Sequence, residues 1–126
     1  FLPALVQSTK LDVKAISRDP KEVKRYQDDP LVHDKISTAF FVGVHDAGEW
    51  AVENASKLNV PTLIYHGSGD TITSHDASKK FADDAGDMAV FKSLNGYYHE
   101  AHNEAPEDRE KVFQMINSWI DEQLTA

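Results

Sequence analysis

Two residues carry the chemistry this sequence offers, Asp70 and His99. Asp70 lies in "YHGSGDTITSH" (65–75), four residues past His66, where an apolar stretch runs straight into a Gly-Ser-Gly turn. His99 lies in "LNGYYHEAHNEAP" (94–106), five residues past Leu94, again just after an apolar run. In open α/β sheets, reactive groups sit just beyond the carboxyl ends of the strands. If the two runs are neighbouring strands, their axes stand about 4.8 Å apart, and the loops that follow can set the carboxylate against the imidazole. A carboxylate on one ring nitrogen fixes the tautomer and leaves the other nitrogen as general base. That is the acid–histidine half of a nucleophilic triad. Its third member is missing: the nucleophile signature G-x-S-x-G occurs nowhere, and Ser68 of "HGSGD" has His66 and Asp70 at the outer positions.

Each residue also has a plainer reading. An aspartate after glycine commonly makes an Asx turn, and a lone histidine is more often a surface or hydrogen-bonded core residue. His66 and His102 are read as non-catalytic. "HEAHNE" (99–104) invites a metal, but its histidines are three apart, whereas the helical zinc motif needs four. The acidic group Asp83, Asp84 and Asp87 lacks the alternating ligand spacing of a calcium loop and reads as a solvated helix end. No metal and no cofactor is expected.

The elements that must position the pair follow from caps and periodicity. Asp19, Pro20 and Glu22 open a short helix that ends before Pro30. Ser37 caps a longer helix reaching about Leu58, with Phe40, Phe41, Val44, Trp50, Ala51, Ala55 and Leu58 on one stripe, read as core. "PTLIYHG" (61–67) is apolar and bounded by Pro and Gly, which predicts a strand buried on both faces. Ser74 opens a helix with Ala77, Phe81, Ala82 and Ala85 inward, stopped by Gly86. "MAVFKSL" (88–94) is a second strand, and Pro106 starts a last helix with Val112, Phe113, Ile116, Trp119, Ile120 and Leu124 on its apolar face. Two strands joined by a helix form a parallel βαβ unit. Two parallel strands alone are too few for a stable, doubly covered sheet, so the chain is expected to belong to a larger one.

Composition narrows the partners. With 126 residues, 40% of them hydrophobic, one domain with a core is expected. A net charge of −8 repels phosphate backbones, so nucleic acid is not an expected partner. Apolar runs of a few residues exclude a transmembrane segment. The absence of cysteine removes disulfides and thiolate zinc sites. Phe1 begins the chain without a basic leader and reads as a cut end.

The stretches "LDVKAISRDPKEVKRYQDDPLV" (11–32), "VPTLIYHGSGDTITS" (60–74) and "GYYHEAHNE" (96–104) resemble the monoacylglycerol lipase and lysophospholipase family of α/β-hydrolases. The resemblance implies the C-terminal portion of an α/β-hydrolase fold: residues 1–36 as the end of the cap region, and 37–126 as the last two parallel strands of the core and their helices. It maps the catalytic acid onto Asp70 and the base onto His99, with the serine elbow and oxyanion loop upstream of Phe1. It implies a serine carboxylester hydrolase of single-chain lipid esters, cytoplasmic or peripheral to a membrane, of which this piece is inactive alone. The expected partners are the lipid ester and the missing N-terminal part, or a second copy pairing through open sheet edges. Two other readings stay open: a piece of another α/β-hydrolase (peptidase, haloperoxidase or dehalogenase), and a non-catalytic interaction module.

Overall fold

A computed structural model describes residues 4–125; Phe1, read above as a cut end, lies outside them. Strand β1 (Val6–Ser8) pairs antiparallel with β2 (Lys35–Ser37), a ribbon the periodicity did not announce because each strand is only three residues long. Between them, a 3-10 turn (Val13–Ala15) leads to helix α1 (Pro20–Asp28). Asp19 caps α1 as expected, its side chain accepting from the Lys21 N–H at 2.9 Å. Ser37 likewise caps α2 (Thr38–Glu53). This helix is shorter than expected: Asn54 ends it, and the stretch to Leu58 continues as a 3-10 turn (Ala55–Lys57) that buries Ala55.

Strands β3 (Thr62–Gly67) and β4 (Ala89–Leu94) pair in parallel, in register from Thr62↔Ala89 to Gly67↔Leu94. Helix α3 (His75–Ala85) joins them, capped by Ser74 and ended by Gly86 at a φ of 60°, a conformation that favours glycine. It lies against β3, β4 and α2 and buries Ala82. Helix α4 (Pro106–Thr125) buries Val112 and closes the chain.

Two expectations about burial are corrected. Strand β3 is half-buried rather than buried on both faces, because among the described residues its one ladder partner is β4. The apolar stripe of α2, read as core, is exposed: Phe40, Phe41 and Trp50 are 62%, 58% and 64% accessible. Phe113, Ile120 and Leu124 of α4 are exposed too. Only part of each face is covered among the described residues: Val112 of α4 is buried and Ala51 of α2 half-buried, while the large aromatic and aliphatic residues beside them stay open. Among the described residues the buried interior is small: Ile16, Ser17, Ala55, Gly67, Ala82, Ala101, Glu104 and Val112.

Candidate active site

The turn after β3 and the loop after β4 are knitted together by backbone hydrogen bonds. Ser68 N–H donates to the Leu94 carbonyl and Gly69 N–H to that of Tyr97, both at 2.9 Å. Gly96 N–H in turn donates to Ser68 Oγ at 2.8 Å. Glycine is required at 67, since a methyl group there would overlap the carbonyl oxygens of Tyr97 and Tyr98. At Gly69 a methyl group would stand 3.1 Å from the carbonyl oxygens of Gly96 and, again, Tyr97. The Gly-Ser-Gly sequence thus lets two loops cross at backbone distance, and Asp70 follows directly.

Asp70 is held on all sides, its side chain 1% exposed. Its Oδ1 accepts from the N–H groups of Ile72, at 2.7 Å, and Thr73, at 3.1 Å. Oδ2 accepts from His99 Nδ1 at 2.9 Å, from His66 Nε2 at 2.9 Å and from Thr73 Oγ1 at 2.8 Å. Burial pushes this carboxyl up, but the bonds from His99, Ile72 and Thr73 outweigh it and hold it well below the usual carboxylate range. An ionised Asp70 accepts only, so both His99 Nδ1 and His66 Nε2 must carry a proton. In neutral His99 the free Nε2 is then a base. A cleft of about 290 Å³ opens here, lined by Tyr65, His66, Thr73, Ser78 and His99 among others. An apolar hollow of about 280 Å³, lined by Ala51, Val52, Ile64, Ala77 and Phe81, adjoins it through Thr73 and Ser78.

The loop bearing His99 is anchored from the other side by the segment before α1. His99 N–H donates to the Ala15 carbonyl and Glu100 N–H to that of Ile16. Buried Glu104 is the clamp: it accepts from Tyr98 N–H and Arg18 N–H, each at 3.0 Å, and pairs with Arg18 Nε at 3.1 Å. The Arg18 guanidinium also lies 4.3 Å from the centre of the Tyr97 ring and binds Asp108. The segment around Ser17 and Arg18, assigned above to a cap region, packs beneath the histidine loop.

The structure therefore brings Asp70 and His99 together. His102 sits exposed in the 3-10 turn Ala101–Asn103, away from this cluster. Metal-capable groups gather, among the described residues, only at His45, Asp46 and Glu49 on the open surface of α2. His66, read above as non-catalytic, also bonds to Asp70, a contact the sequence reading did not foresee. Its partner Ser78 and the twice-bonded Thr73 were missed as well. Thr73 was detectable as the third residue after Asp70, where side-chain turns form. The His66–Asp70 contact spans a strand end and a turn, where no regular period applies.

Comparison with known proteins adds the following. Residues 1–106 match the family described as "Serine aminopeptidase, S33". The monoacylglycerol lipase of Mycolicibacterium smegmatis is 34% identical over 112 residues, covering 87% of this chain and 39% of that protein. A crystal structure of a monoacylglycerol lipase from Paleococcus ferrophilus superposes with a TM-score of 0.87 at 36% identity, over 93% of this chain and 46% of that one. The monoglyceride lipase of Saccharomyces cerevisiae, solved as a soluble variant with a substrate analogue, superposes at 0.86 with 25% identity over 97% and 45%. The chain spans less than half the length of each of these relatives.

Proposed function

The chain belongs to the serine aminopeptidase S33 family of α/β-hydrolases, and we propose that it supplies the acid and the base of a serine carboxylester hydrolase acting on single-chain lipid esters. The observation that carries the reading is the 2.9 Å contact between Asp70 Oδ2 and His99 Nδ1, at the ends of adjacent parallel strands. In the whole protein, a serine outside these 126 residues attacks the acyl carbon. His99 Nε2 takes the serine proton and later delivers it to the leaving glycerol-type alcohol. Asp70 stays ionised, orients the ring and stabilises the imidazolium. The apolar hollow beside the cleft supports an acyl chain as substrate, as do the lipase names of the relatives.

By this reading the chain is the C-terminal part of the hydrolase, and its partner is the rest of the same protein. No helix among the described residues is long and apolar enough to cross a membrane. The resemblance to these lipases supports, as the location we propose, a cytoplasmic enzyme that meets its lipid at a membrane surface.

The test is ester turnover of variants in the whole protein. His99→Ala should abolish turnover with the fold intact by circular dichroism. Asp70→Asn should cost on the order of 10⁴-fold, since the amide favours the wrong tautomer. His102→Ala should be close to the parent. The 126-residue chain alone should not react with a fluorophosphonate, since loss of a triad nucleophile costs about 10⁶-fold. An active His99→Ala, or a serine of this chain labelled stoichiometrically, contradicts the proposal. A whole protein that cleaves only short soluble esters or peptides overturns the substrate class.

A further inference from the structure

His66 has an arrangement that the acid–histidine pair does not require. Its ring stands between two partners, with Nδ1 2.8 Å from Ser78 Oγ and Nε2 2.9 Å from Asp70 Oδ2. The side chain is 11% exposed, against 34% for His99, so of the two rings that line the cleft His66 is the more deeply buried. Because ionised Asp70 only accepts, Nε2 of His66 carries a proton. In a neutral ring Nδ1 is then bare, and the Ser78 hydroxyl donates to it. Donation in the chain Ser78 → His66 → Asp70 ← His99 thereby runs toward Asp70 from both sides, and the two imidazoles meet at a single oxygen.

We propose that His66 is a positioning residue for the Asp70–His99 pair, held as its Nε2–H tautomer by Ser78 so that it fixes the Asp70 oxygen and shares its charge. The inference rests on the reading of Asp70 and His99 as acid and base. It gives the acid a geometry that survives rotation of the exposed histidine, because Oδ2 keeps His66 and Thr73 while His99 moves with the proton. It also tempers the carboxylate. An oxygen that accepts from a second imidazole pulls less on the His99 imidazolium, which eases proton delivery to the leaving alcohol.

The other groups around His66 leave this role undisturbed. From α3, the His75 ring meets it edge-on at 5.6 Å, and His75 is itself bonded to Ser93 Oγ. From β4, Ser93 is the residue in register with His66 and is neutral. Tyr65 and Thr73 line the same cleft, and the remaining titratable neighbours are Asp70 and His99 themselves.

The experiment uses the whole protein that carries this chain, a soluble p-nitrophenyl ester across pH, and ¹⁵N spectra of the imidazoles. His66→Phe removes the donor. Its kcat should fall about 10-fold, equivalent to about 1.4 kcal/mol and so near the worth of one hydrogen bond to a charged group, with KM unchanged. The acid limb of kcat/KM should move to higher pH, because the freed oxygen now holds the His99 imidazolium more strongly. His66→Gln keeps a donor near the Nε2 position and should return the limb toward the parent's. In the parent, His66 should show a protonated Nε2 and a bare Nδ1, and Ser78→Ala should weaken that preference. A limb unmoved in His66→Phe, equal losses in the Phe and Gln variants, or an Nδ1–H tautomer in the parent would each overturn the inference. The tautomer result decides the matter even where His66→Phe does not fold. An active His99→Ala would instead remove the acid–base reading itself, a result distinct from any of these.

Discussion

At the scale of single residues, the site is organised around the charge of Asp70. Five donors converge on a carboxylate with almost no exposure to water. Such a group is expensive to bury and worth keeping ionised only where it has partners. Its proton affinity is depressed in the folded state, which has a consequence for stability. The contribution is fully present above the unfolded-state value of about 3.9 and is lost as pH falls below it toward the lower folded value. Urea midpoints of the parent should therefore fall below pH about 4 more steeply than those of Asp70→Asn, which should be less stable at neutral pH. Parallel curves would show that Asp70 adds nothing to folding.

At the scale of elements, the crossing of two loops matters more than either strand. Gly67 sits where β3 ends, and the loop after β4 passes so close that no side chain fits. Gly67→Ala should therefore push the Tyr97–Tyr98 backbone away and carry His99 with it. Overpacking of this kind costs roughly 3 kcal/mol, read as a lowered denaturation midpoint together with loss of turnover in the whole protein. Ser68→Ala makes a useful control, since it removes only the bond from Gly96 N–H. A near-normal Gly67→Ala would mean that the loops are not held at this distance in solution. Glu104 completes the element-scale picture. It is a buried carboxylate whose bonds to Tyr98, Arg18 and Ser17 tie the histidine loop to the segment before α1.

At the scale of the whole molecule, there is too much surface for the mass. A folded monomer of 14.1 kDa should expose about 6,700 Å², whereas this chain exposes 8807 Å². Large apolar residues are exposed on the aromatic stripe of α2 and the outer face of α4, and among the described residues the β3–β4 sheet has open edges. Exposed apolar faces and unpaired strand edges invite association. The 126-residue chain alone should then form oligomers on gel filtration with light scattering, and should bind a hydrophobic dye strongly. A well-behaved monomer with no dye binding would show that these faces need no cover.

Much of this was legible in the sequence because it depends on local rules. Asp19, Ser37 and Ser74 cap helices at the residues expected, since a cap is a bond between a side chain and a backbone group a few positions away. The βαβ order and the place of Asp70 and His99 after the strands follow from periods and turns, which are local too. Tertiary structure decided the rest. Which histidines reach Asp70 depends on how the β4 loop crosses the Gly-Ser-Gly turn, and no spacing in the chain encodes that distance. The contact of Glu104 with Arg18 joins residues far apart in sequence. Whether an apolar stripe is core or surface was equally beyond the sequence, because periodicity says which residues share a face and only packing says what covers it.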